Sequence, residues 1–308
     1  MAVSGSKNFA ITRADIITKA LQRIGEYDQG EAASGSSTSS CAMALNLMVK
    51  EWAARGIDIW LRSEVTVFIQ PDTKLYALGT AHATTSYSET TLSAAEAAAQ
   101  TVLSVTSSSG MTAGDYVGIK LDDDSIQWTT IVTVDSSTQI TITAALTSAA
   151  ASGNKVYAYT TKATRPQKIL SAFRRDVNGY DTPLAITGSQ EYQNLSDKGA
   201  SGEPTQIWYH PILATGSLYV WPVDPGSNCD KIILIAQNLP DDFDAAADNP
   251  EFPIEWGNAL IWGLAAEIAS EYGVPEREQG RLWSTAEFKL KTMLDNDVEN
   301  ASVIFGMA

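Results

Sequence analysis

The chain is poor in the residues that build most recognisable sites. Among 308 residues there are two cysteines, Cys41 and Cys229, and two histidines, His82 and His210. Cys41 lies in an apolar helical stretch and Cys229 in the turn-like "DPGSNCD". No CxxC or zinc-ligand spacing occurs, and so small a Cys/His set argues against a structural zinc centre. Positive charge is also scarce: 21 Lys and Arg face 36 Asp and Glu, a net charge of -15. That balance argues against a chain that clamps nucleic acid along its whole surface. No apolar run is long enough to predict a membrane-spanning helix, and "MAVSGSKNFAITRAD" lacks the apolar core of a signal peptide. There is no phosphate-binding loop, dinucleotide fingerprint, zincin motif or GxSxG elbow. No cofactor and no metal site is expected.

What the chain does have is a pattern of helices at both ends and strands between, which predicts an α+β fold. In "TRADIITKALQRIGEYD", Ile16, Ile17, Ala20, Leu21 and Ile24 recur at helical spacing. Thr12 and Asp15 form the outline of a capping box, and Gly25 supplies a stop. "GEAASGSSTSS" reads as a loop. In "SSCAMALNLMVKEWAARGIDIW" a broad apolar stripe takes in Met43, Leu47 and Ala54 with Leu45, Met48 and Trp52, and Gly56 would close the helix. "SEVTVFIQPDTKLYAL" reads as a hairpin.

Residues 80–160 are rich in Ser, Thr and Ala. "TVLSV", "DYVGIKL", "IQWTTIVTV", "QITIT" and "KVYAY" predict short strands separated by Ser, Gly and Asp turns. "SAAEAAAQ" has helical propensity but is short. The segment reads as a small β-barrel or sandwich inserted into a body made of 1–79 and 161–308. It is expected to project outward and to be removable.

Four features bear on function. Lys162, Arg165, Lys168, Arg174 and Arg175 form a basic island in an acidic chain. Asp241, Asp242, Asp244, Asp248, Glu251 and Glu255 precede a Trp-rich helix. A calcium loop is absent there. Pro253, Glu251 and Glu255 read as a helix start, while Trp256, Leu260, Leu264 and Ile268 form its apolar stripe. Asp122 to Asp124 read as a solvated turn. His210 reads as a surface or interface ring rather than a general base. Trp60, Trp208, Trp221, Trp256, Trp262 and Trp283 are among eight Trp, enough for both a core and an interface.

Taken in order, five stretches resemble the head-to-tail connector adaptors of short-tailed bacteriophages, relatives of tubular tail proteins. They are "ITRADIITKALQRIGEY" with "ALNLMVKEWAARGIDIWLRSEVTVFI", then "RPQKILSAFRRDVNGYDTPLAITGSQEYQNLSDKGASGEPTQIWYHP", "GSLYVWPVDP" and "FPIEWGNALIWGLAAEIASEYGVP". The resemblance implies a non-catalytic virion protein, assembled in the host cytoplasm as a ring of about twelve subunits. Such a ring sits between portal and tail, extends the DNA channel without binding DNA specifically, and receives tail proteins. It implies that the C-terminal arm, 300–308, contacts the portal through Val303, Ile304, Phe305 and Met307. Arg165, Lys168, Arg174 and Arg175 are expected to meet Asp241, Asp242, Asp244 and Asp248 of a neighbouring copy. The alternatives are a virion cell-wall hydrolase using Glu251 and Glu255, or a glycan-binding decoration protein using residues 80–160.

Overall fold

Thr12 accepts a hydrogen bond from the Asp15 N–H, and the Asp15 carboxylate accepts from the Thr12 N–H in return. This closed capping box starts α1 (Arg13–Ile24) in the computed structural model, and Gly25 ends it in the left-handed conformation, φ 81°. The structure describes residues 9–28, 30–31, 33–55, 59–226 and 231–296. Gly56, Cys229 and the arm 300–308 lie outside them. The chain continues through α2 (Gly35–Ala54), β1 (Arg62–Phe68), β2 (Leu75–Leu78), β3 (Ala83–Thr84), β4 (Ser88–Thr91) and β5 (Val102–Ser104). β6 (Tyr116–Lys120), β7 (Ile126–Ser136), β8 (Gln139–Ile142), β9 (Lys155–Tyr159) and β10 (Lys168–Arg175) follow. After β11 (Asp181–Pro183) and β12 (Ala185–Ile186) come a short α3 (Ser189–Gln193), β13 (Gln206–Pro211), β14 (Gly216–Trp221) and β15 (Lys231–Gln237). α4 (Gly257–Ile268) and α5 (Glu276–Asn296) complete the order. The fold is α+β, with helices from both chain ends flanking a multi-strand β region.

The chain divides into two compact units, 1–61 with 239–308, and 62–238. In the first, Ile17 and Leu21 of α1, Leu45 and Trp52 of α2, Leu260 and Leu264 of α4 and Leu282 of α5 share one core. α2 begins at Gly35, inside the Ser-rich stretch read as a loop, because the Ser34 hydroxyl accepts from the Ser37 N–H and caps it. The apolar stripe of α2 is split. Leu45, Met48, Val49 and Trp52 are buried, whereas Met43 and Leu47 face solvent. Gly263 lets α4 approach α2, since a Cβ there would lie 2.8 Å from Met48 Sδ and 2.9 Å from the Trp52 ring.

The second unit contains three sheets. A five-stranded sheet, β11-β10-β15-β1-β3, and a four-stranded sheet, β12-β13-β14-β2, enclose a common core of Val65, Val67, Ile232 and Leu234 with Ile207, Leu218 and Val220. The third, β4-β9-β6-β7-β8-β5, curls as a half-barrel around Leu103, Val117, Ile119, Ile140 and Val156. Its edge strands are linked by the Leu92↔Val105 bridge. "SAAEAAAQ" forms no helix: Glu96 bridges Ala150 instead, and the Glu96 carboxylate accepts from the Ser104 N–H. Both ends of the 80–160 segment run side by side, with Lys162 Nζ 2.6 Å from the Thr80 carbonyl and the Ala163 N–H bonded to Ala83.

Phe68 and Lys231 tie the half-barrel to the five-stranded sheet. Phe68 of β1 is 1% exposed among the rings of Tyr87, Trp128, Tyr157 and Tyr159. The Lys231 ammonium of β15, 3% exposed, pairs with Glu89 of β4, donates to Tyr87 Oη and sits over the Tyr87 and Tyr157 rings. Burial alone would push the Glu89 carboxyl up. The bond and charge of Lys231, with Lys155 behind it, instead hold it below its ordinary value.

Candidate functional site

The acidic loop is a strap pinned to helices α1 and α2. Phe243, the one large apolar side chain among its aspartates, is buried in the helical core. Its N–H donates to Asn46 Oδ1 at 2.9 Å, and its carbonyl accepts from Arg13 Nη1 at 2.9 Å. Asp242 pairs with Lys50 at 2.8 Å, and Lys50 also donates to the Pro240 carbonyl. Asp248 accepts the Ala245 N–H on its side chain and the Arg13 N–H on its carbonyl. Asp241 uses its N–H to hold Glu251 Oε2 at 2.8 Å. Glu251 is therefore spent on the strap, not on the helix start assigned to it. Pro253 precedes a 3-10 turn, Ile254–Trp256, which leads into α4, and Glu255 stands in that first turn.

The basic island lies in the other unit. Arg175 grips Asp181 with two bonds, 2.7 and 2.8 Å, which hold the Asp181 carboxyl below its usual range and raise the guanidinium further. Arg174 pairs with Glu203. Lys162 donates to Thr80 and lies 5.0 Å from the Tyr116 ring centre. Arg165 stands beside the half-buried Tyr209, and Lys168 is exposed at the start of β10. Three of the eight intersubunit candidates thus have ion-pair partners within the chain: Arg174, Arg175 and Asp242. Among the described residues, the other five, Arg165, Lys168, Asp241, Asp244 and Asp248, have no ion-pair partner within the chain. The partners Lys50, Asn46, Asp181 and Glu203 escape sequence reading because most lie far along the chain. Only Asp181, six residues from Arg175 across a tight hairpin, carried a local signal.

The histidines play different parts. His82 is stacked on Trp128, 4.1 Å between centroids and 4° between planes, with Nδ1 2.7 Å from Tyr159 Oη. Burial, then the Lys162 charge, pushes its imidazole down to about 4. His210 is exposed on β13, stacked at 5.6 Å on Trp208. Asp122 is not merely solvated, since it accepts from the Ala151 N–H and from Asn154 Nδ2. Asp124 pairs with Lys120 at 3.1 Å. Among the described residues, no three His, Cys, Asp or Glu side chains are grouped to hold a metal ion, and no helix is long and apolar enough to cross a membrane.

No protein-family model and no curated protein matches this sequence.

Proposed function

We propose that the chain is a non-catalytic subunit of a bacteriophage head-to-tail connector. About twelve copies form a ring between portal and tail. The ring continues the DNA channel, and the Ser/Thr-rich segment 80–160 decorates it as a small barrel. The observation that supports this reading best is the order of the fold. Helices from the two chain ends form one core, the β region lies between them, and the stretches with connector resemblance run through both. The net charge of -15 fits a channel that lets DNA slide, because an acidic wall does not hold phosphates. Val303, Ile304, Phe305 and Met307 are the proposed portal contacts. Arg165 and Lys168 on the basic side and Asp241, Asp244 and Asp248 on the acidic side are the intersubunit candidates left open by the chain's own ion pairs.

Native mass spectrometry and electron microscopy of the protein with a short-tailed-phage portal test the reading. A closed ring seated on the portal is expected. A chain that neither forms rings nor binds the portal overturns it, and peptidoglycan turnover lost in Glu255→Gln would replace it with the hydrolase.

A further inference from the structure

The helical unit leaves an apolar groove between α2, α4 and α5. Met43 and Leu47 on α2 are 69% and 64% exposed, and Trp283 on α5 is 49% exposed. Between them lies an open depression of about 320 Å³, floored by Met48, Trp52 and Gly263. It continues along α2 past Met43 and Leu47. From Met43 to Arg55 the groove follows α2 for about 18 Å, close to three helical turns.

Its rim is acidic. Glu51 of α2, Glu267 of α4, Glu271 in the turn after α4 and Glu287 of α5 border the depressions. The cation lining them, Arg55, is already paired with Glu51. Glu271 accepts from the Ser40 hydroxyl, which adds no positive charge. Glu267 is partly buried beside Glu51, and burial first, then that like charge, pushes its carboxyl up. An apolar floor between crowded carboxylates is matched by apolar side chains flanked by cations. A second copy would bring another -15 of net charge to the same place.

We propose that this groove docks a basic amphipathic helix of another polypeptide. Its apolar residues, at i, i+3 or i+4 and i+7, lie between α2 and α5, and its Lys and Arg side chains meet Glu51, Glu267, Glu271 and Glu287. This inference does not depend on the ring, since a monomeric chain presents the same groove.

The test uses the full chain and two labelled peptides of roughly 16 residues, alike in their Leu/Trp face and differing only in Lys/Arg or Glu flanks. Fluorescence anisotropy should show the basic peptide binding at least about tenfold tighter than the acidic one at low salt, with the gap shrinking as salt rises. Leu47→Ser and the double variant Glu51→Gln, Glu267→Gln should each weaken the basic peptide about fivefold or more. Asp123→Asn with Asp124→Asn, in the other unit, should leave it unchanged. Leu47 faces solvent, so its variant retains the fold, and helical circular dichroism verifies this. Hydrogen exchange should slow in α2 when the peptide is bound. Equal binding of both peptides, absence of binding, or indifference to the groove variants overturns the proposal. Self-association of the chain that Leu47→Ser abolishes would assign the groove to a second copy and overturn it equally.

Discussion

The half-barrel and the helical unit finish their surfaces in opposite ways. On the half-barrel, outward positions bond to one another: Thr130 to Thr143 at 2.8 Å, Thr91 to Thr106 at 2.9 Å, and Asp135 to both Thr133 and Thr141. Its aromatic and most of its aliphatic side chains point into its own core or toward Phe68, and the large apolar side chains it exposes, Val102, Val132 and Val134, are all valines. The helical unit buries an equally continuous core but leaves Met43, Leu47, Trp283 and Phe288 outside it. A satisfied hydroxyl ladder gains little from a partner, whereas four large exposed apolar side chains lose water-contacting area only when something covers them. The half-barrel surface is thus finished largely by its own hydroxyl pairs, and the helical surface is built to be covered.

The sharpest way to break this comparison is to remove the half-barrel. Deleting 85–160 with a Gly-Ser bridge joins ends that already lie together, yet uncovers Phe68 and strips Lys231 of Glu89. A loss of about 3–5 kcal/mol is expected from the unpaired lysine and the exposed ring, seen as a lower urea midpoint of the β unit. An unchanged midpoint would mean that the segment only decorates the sheet. Phe243→Ala tests the other unit. Emptying the strap's anchor should cost about 3 kcal/mol or more and loosen the helices while near-ultraviolet signals from Trp128 persist.

Acid should act on the β unit first. His82 is neutral in the fold and titrates near 4, against 6.5 when free. Above pH 6.5 neither state binds the proton, and stability is complete. As pH falls below 6.5 the unfolded chain takes up a proton that the folded chain refuses, so stability drops, by about 1–2 kcal/mol at pH 5 once solvent screening of this half-buried ring is allowed for. His82→Phe keeps the stack on Trp128 and should flatten this loss in urea titrations. Smallest of all, Arg175→Ala removes an exposed pair and should cost about 0.2–1 kcal/mol, decreasing with salt.

Much of the scaffold was legible from local chemistry. Thr12, Asp15 and Gly25 bound α1 as read, and "DYVGIKL", "QITIT" and "KVYAY" each contain a strand. Periodicity could not decide which stripe of α2 faces inward, because Met43–Leu47 and Leu45–Met48–Trp52 are equally apolar. Only the fold, through Gly263 and its approach to Met48 and Trp52, makes the choice. The roles of the strap carboxylates were hidden for a related reason. Asp242 finds Lys50 across 192 positions of chain, and Phe243 finds Asn46 across 197. The basic island looked like a patch because Arg174 and Arg175 are adjacent, while their acidic partners come from β11 and the loop before β13.

The shared core of α1, α2 and α4 also sets an order of events during synthesis. Leu21 and Leu45 emerge from the ribosome long before Leu260 and Leu264, the side chains that cover them. About 200 residues separate α2 from α4, which at 5–20 residues per second amounts to roughly 10–40 s of translation. Throughout that interval the first two helices are an unfinished half of a core. The intervening β unit, contiguous from 62 to 238, can close on its own as it appears. The nascent N-terminal helices are therefore the stage at which this chain most needs a chaperone.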